Sequence, residues 1–222
     1  MDNPWLALPT EPPYILPMDQ AAVDEFNRTA ADSRRVHLDV YPEPYVGSPD
    51  AKIVLLALNP GYCERDREVQ AEPEFAEAYW KSLRFEHQDD PFYYLDPRFH
   101  HTPGSQWWLS HLRSLIDDSS ERTVAQNLLC IQIFPYASSK YAFPRPLPSL
   151  DYVLALLRAA IQRQAHIVVM RHARAWRRVA PELDGYQLQS GRVYRLNSPL
   201  SVHITPKNCP GYPDLRSSLE AS

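Results

Sequence analysis

The run Ile53-Val54-Leu55-Leu56-Ala57-Leu58, with Ala51 just ahead of it, stops abruptly in Asn59-Pro60-Gly61. It is short, β-branched at its start and bounded by a breaker, which predicts a strand buried on both faces inside a parallel sheet. Pro60 has no backbone N–H and cannot continue a central strand. Gly61 lets the backbone turn sharply or approach a ligand closely. Asn59 is thereby placed at the carboxyl end of a central strand, where open α/β sheets bind their ligands. Locally, a capped strand end with an Asn-Pro turn and a binding site both fit these residues.

The chain has 222 residues, enough for one α/β domain with a substantial core, and residues 1–222 read as a single domain. Its formal net charge is −4, so a nucleic-acid partner would need a local basic surface. With 22 prolines against 6 glycines, its connectors are stiff. Cys63, Cys130 and Cys209 are scattered and odd in number. They predict neither a disulfide framework nor an iron–sulfur cluster, and a reduced, cytoplasmic setting is expected. No signal-peptide pattern and no membrane-spanning apolar run is read from the sequence, so no membrane association is expected. His100 and His101 lack a second ligand pair at a recognisable spacing, and no metal is expected.

Residues 1–43 predict a proline-rich arm lying on the surface, followed by a helix capped by Asp19. Tyr41 to Pro49 reads as a proline-broken polar connector. A helix is expected from about Pro73 to Leu83, and another after Ser105 through Trp107, Trp108, Leu112 and Leu115. Between them, Phe92-Tyr93-Tyr94 forms a stiff ring-rich loop whose rings either pack into the core or stack on a flat ligand. Asn127 to Phe134 is a second strand, interrupted by Gln132, whose amide must find partners if buried. It also stops at a breaker, Pro135, with Ser138 and Lys140 just beyond. A helix over 150–163, a strand over 166–170, a basic helix from Arg171 to Arg178, a strand over 193–196 and a helix over 214–220 complete the chain. Strands alternating with helices predict a mostly parallel sheet covered on both faces.

Four of these features coincide: Leu58-Asn59-Pro60-Gly61, a second strand carrying an amide, a third strand leading into a basic helix, and the late segment Ser198-Pro199-Leu200-Ser201. Together they resemble the uracil-DNA glycosylase superfamily over roughly residues 44 to 219. The Asn-Pro-Gly is similar to that of its mismatch-specific and thymine-DNA glycosylase branches. The resemblance implies a three-layer α/β/α fold around a central, mostly parallel four-stranded sheet. It implies that Asn59 holds the water that attacks the sugar, and that Leu200 fills the gap left by a flipped base. The family's His-Pro before this loop is replaced here by Leu196-Asn197, so Asn197 is the residue expected to assist the departing base. Gln132 falls near the family's base-reading amide. Tyr62, Tyr93, Tyr94 and Phe134 are expected around the base. Ser138, Lys140, Arg171, Ser198, Leu200, Ser201 and Lys207 are expected along the DNA.

The resulting expectation is a monomeric, cofactor-free DNA base-excision glycosylase that hydrolyses the N-glycosidic bond of a flipped base. The alternative is a non-catalytic member of the same fold that binds a nucleobase, a nucleotide or DNA. A nucleotide hydrolase or transferase on a Rossmann-like sheet ranks last, because Gly61 stands alone and forms no phosphate loop.

Overall fold

The computed structural model describes residues 2–86, 89–142, 145–198 and 200–220. Five strands form one mixed sheet in the order β1-β3-β2-β4-β5. They are β1 (Tyr45–Gly47), β2 (Ile53–Ala57), β3 (Leu128–Gln132), β4 (His166–Val169) and β5 (Val193–Arg195). The helices are α1 (Pro17–Thr29), α2 (Asp66–Gln70), α3 (Pro73–Arg84), α4 (Pro103–Asp117), α5 (Glu121–Asn127), α6 (Leu150–Gln162), α7 (Ala173–Val179), α8 (Glu182–Ser190) and α9 (Tyr212–Glu220).

The apolar run is the centre of the sheet. β2 lies between β3 and β4 and runs parallel to both, with Leu55 opposite Cys130 on one side and Val168 on the other. Side chains alternate along each strand. Val54, Leu56, Leu129, Ile131, Ile167 and Val169 face one core, while Ile53, Leu55, Leu128, Cys130 and Val168 face another. Helices α6, α7 and α8 supply the first core, and α4, α5 and α9 the second. Helix α3 straddles the two, giving Tyr79 and Leu83 to one and Phe75 and Ala78 to the other.

The expected four-stranded sheet is corrected to five. The extra strand, β1, is an antiparallel edge pairing Tyr45 with Ile131 and Gly47 with Leu129. Its three residues follow Pro42-Glu43-Pro44 and carry no readable alternation. Gly47 is required there: its φ is +113°, and a Cβ would stand 2.1 Å from the Leu128 carbonyl oxygen.

Two further expectations about the N-terminal region are corrected. The arm does not lie on the surface: Trp5, Leu8, Ile15 and Leu16 are buried in the first core. Asp19 does not cap α1, which starts at Pro17. Its carboxylate is buried, accepting from the Tyr136 hydroxyl at 2.8 Å and the Ser149 backbone N–H at 3.1 Å. No described helix is long and apolar enough to cross a membrane.

Candidate functional site

At the carboxyl ends of β2 and β3 the sheet opens into a cavity of about 290 Å³. That lies at the lower end of the range for small-molecule sites, with room for a flat heterocycle. Asn59, Pro60, Gly61 and Tyr62 enter it from β2, Gln132 from β3, and Glu43 from the segment leading into β1. The opposite wall comes from Phe75 of α3, Tyr94, and the first turns of α4 with Trp107 and Trp108.

The backbone fixes Asn59. The Phe134 N–H donates to the Leu58 carbonyl at 2.9 Å, so the chain after β3 continues the pairing past the end of β2. The Trp176 indole N–H donates to the Ala57 carbonyl at 3.0 Å. The Asn59 amide then donates twice through Nδ2, to the Pro60 carbonyl at 2.8 Å and to Ser138 Oγ at 3.0 Å. A carbonyl only accepts, so this pair of bonds orients the amide and leaves Oδ1 as its acceptor.

The second polar group is a buried cluster. Glu43 is 8% exposed and Gln132 4%. Glu43 Oε1 accepts from Gln132 Nε2 at 3.2 Å, and Oε2 accepts from the Tyr94 hydroxyl at 2.6 Å. Burial pushes the Glu43 carboxyl up from 4.5 to about 7, although the bonds from Tyr94 and Gln132 pull it down. Gln132 Oε1 is buried and has no hydrogen-bond partner in the protein. Gly104 holds Tyr94 in place: a Cβ there would come within 2.5 Å of the tyrosine ring.

The raised Glu43 carboxyl has a signed consequence. Between 4.5 and about 7 the folded chain keeps a proton that the unfolded chain has lost. The contribution to stability is therefore complete below 4.5 and is lost as pH rises through about 7. Raising the pH from about 5 to about 8 is expected to lower the urea midpoint of the wild type more than that of Glu43→Gln. Parallel pH profiles for the two proteins would refute it.

The rim adds aromatic surface. The Tyr62 ring stacks on His37 with centroids 3.4 Å apart, and the guanidinium of Arg67, ion-paired with Asp39, lies over the Tyr62 ring at 6.0 Å. Trp107 stacks on His111 at 3.9 Å, and His111 on His203 at 4.1 Å. This series of rings joins α4 to the late loop. Asp66 also lines the cavity; its carboxylate accepts from the Cys63 N–H at 2.7 Å, and burial raises its pKa. No Lys, Arg or His is among the described lining residues.

The structure brings together Asn59, Tyr62, Tyr94 and Gln132 from the expected site. Tyr93 and Phe134 are corrected to core positions. Tyr93 packs edge-on to Phe75 and Phe99, and Phe134 packs edge-on to Tyr136 and Tyr141. Ser138 is buried beneath Asn59 rather than offered to a partner at the surface.

Asn197 is outside the cavity lining. It is exposed, and its Nδ2 donates to the Lys207 carbonyl at 2.9 Å. Asn208, unremarked in the sequence, organises this loop: it accepts from the Ser198 N–H and donates to the carbonyls of Ser201 and His203. Leu200 is 89% exposed, and the Arg171 guanidinium reaches its carbonyl at 3.5 Å. Pro199 lies outside the described residues. Lys140 and Lys207 are exposed and take no part in the cavity.

His101 pairs with Glu72 and His100 with Glu121. Among the described residues no group of three or more His, Cys, Asp or Glu is placed to hold a metal. No family model, curated protein or solved structure matches this chain.

Proposed function

We propose that the cavity holds a single nucleobase and that the chain is a DNA glycosylase of the uracil-DNA glycosylase type, acting by hydrolysis of the N-glycosidic bond. The observation that carries this reading is Asn59: an amide at a strand end, held by two bonds through Nδ2, with Oδ1 left to position a water in a base-sized cavity. An amide is a poor base, so the rate would come from placing the water and stabilising charge in the transition state. The sugar becomes oxocarbenium-like as the bond breaks, and the two carboxyls in the lining, Glu43 and Asp66, suit a positive centre. Tyr94 and Trp108 supply flat surface for the base, and the exposed Leu200 suits a wedge beside it. The three-layer family architecture belongs to the same proposal. It is supported by the parallel strands β3-β2-β4-β5 and by the cores on both faces.

One observation favours a second reading, a nucleobase-binding protein that does not cleave. The lining has two acidic groups and no cation among its described residues, so no positively charged side chain there meets negative charge on a departing base. The test is base release from single- and double-stranded DNA containing uracil, mismatched thymine, hypoxanthine or a modified cytosine, with alkali revealing abasic sites. Release from at least one substrate is the expected result. Binding of base or DNA without any release would establish the second reading instead.

A further inference from the structure

His111 and His203 are an imidazole pair that the base pocket does not use. Their rings stack with centroids 4.1 Å apart, and His111 stacks in turn on Trp107, a cavity-lining residue, at 3.9 Å. Both rings are fixed through Nδ1. That of His111 meets the Trp107 carbonyl at 2.6 Å, and that of His203 meets the Ser110 carbonyl at 3.1 Å. A carbonyl only accepts, so each Nδ1 carries a hydrogen and each neutral ring has its lone pair on Nε2. Neither Nε2 has a protein partner among the described residues, and neither is buried. The pair therefore presents two fixed, solvent-reached nitrogens that can take up a proton.

The charges around the pair are positive. Burial pushes the His111 imidazole below its usual range, the bond to the Trp107 carbonyl opposes this, and His203 and Arg171 add to it. The Arg171 guanidinium also reaches the Leu200 carbonyl at 3.5 Å. Arg113, on the same helix as His111, is engaged by Asp117. Among the described residues no carboxylate pairs with His111, His203 or Arg171, although the chain has a net charge of −4 and His37, His100 and His101 each pair with one. A proton taken up here has no counter-charge in the protein.

We infer that His111, His203 and Arg171 form a phosphate site one ring away from the cavity, and that its hold tightens when the imidazole pair takes up a proton. A neutral ring of this tautomer only accepts at Nε2 and meets a phosphate oxygen lone pair to lone pair. The proton turns Nε2 into a charged donor, and the guanidinium supplies a second. The site does not rest on base cleavage: a strand phosphate and the terminal phosphate of a free nucleotide bring the same oxygens.

The probe is dimethyl phosphate, which keeps a single fixed charge over the range in which histidine titrates, so any pH dependence belongs to the protein. Its Kd is measured from amide chemical shifts at constant ionic strength, at about pH 6 and about pH 8. Wild type should bind about tenfold more tightly at the lower pH, the effect of a pKa raised by about one unit on binding. Asn keeps an N–H at the Nδ1 position and has nothing at Nε2. His111→Asn and His203→Asn should therefore each bring the ratio to within about threefold. Arg171→Gln should weaken binding at both pH values and keep the ratio. His111→Gln, whose amide reaches the Nε2 position without titrating, should also lower the ratio and serves if His111→Asn does not fold.

Methyl phosphate, a monoester, shows by its Kd beside dimethyl phosphate whether terminal or strand phosphate is preferred. Equal affinity at the two pH values in the wild type, or a ratio that survives both Asn variants, overturns the inference. Deoxyuridine and thymidine are titrated alongside. Binding of either nucleoside without binding of any phosphate probe removes the phosphate site and leaves the base pocket standing. Phosphate binding with the expected ratio and no nucleoside binding leaves the phosphate site standing alone.

Discussion

Replacing Asn59 by Ala is expected to slow base release by about 100- to 1,000-fold under single-turnover conditions, with binding of the same DNA little changed. The magnitude is that of removing one preorganised group at a reacting centre. The effect should fall on the chemical step, because the proposed role of the Asn59 Oδ1 acceptor is to position the water and not the base. Ser138→Ala gives the companion result. It removes one of the two bonds that orient the amide, at 3.0 Å, and leaves the one to the Pro60 carbonyl at 2.8 Å. A loss of about tenfold to 100-fold is expected from the looser amide. Equal rates for wild type and Asn59→Ala would remove Asn59 from the chemistry.

The largest effect on stability is expected at Trp5. Its ring is fully buried in the first core and packs against Tyr136 with centroids 6.1 Å apart. Trp5→Ala should cost about 3–5 kcal/mol, as for other large aromatic truncations in cores. Trp5→Phe should cost much less, because the buried indole N–H has no hydrogen-bond partner to lose. Urea denaturation of the three proteins decides it. A cost below about 1 kcal/mol for Trp5→Ala would mean that the N-terminal arm is an accessory to the fold rather than part of its core.

The central strand was legible because its residues answer to one demand. Ile53 to Ala57 is buried on both faces, and the unbroken apolar run says so. Asn59 followed from the breaker after it, and Gln132 from an amide inside a buried strand. Glu43 was not legible. A carboxylate between two prolines reads as a solvated connector, and only the pairing of the following three residues with β3 brings it under Gln132. Asp19 misled for the same reason, since its partners Tyr136 and Ser149 lie more than a hundred residues away. Tyr93 and Tyr94 are adjacent and chemically alike, yet one is core and the other cavity wall. The turn of Tyr93–Leu95 and the space left by Gly104 decide between them. Asn197 matched a loop motif, but Asn208 and Lys207 hold that loop in a shape that turns its amide away from the cavity.

The edge strand β1 carries one more consequence. Glu43 lies ahead of that strand, next to Pro44, whose carbonyl accepts from the Gln132 N–H, and its carboxyl meets the Gln132 amide there. The two polar groups of the cavity thus come from separate parts of the sheet, Glu43 from the segment ahead of its edge strand and Asn59 from the end of its central strand, so the edge can vary while the end of β2 is kept.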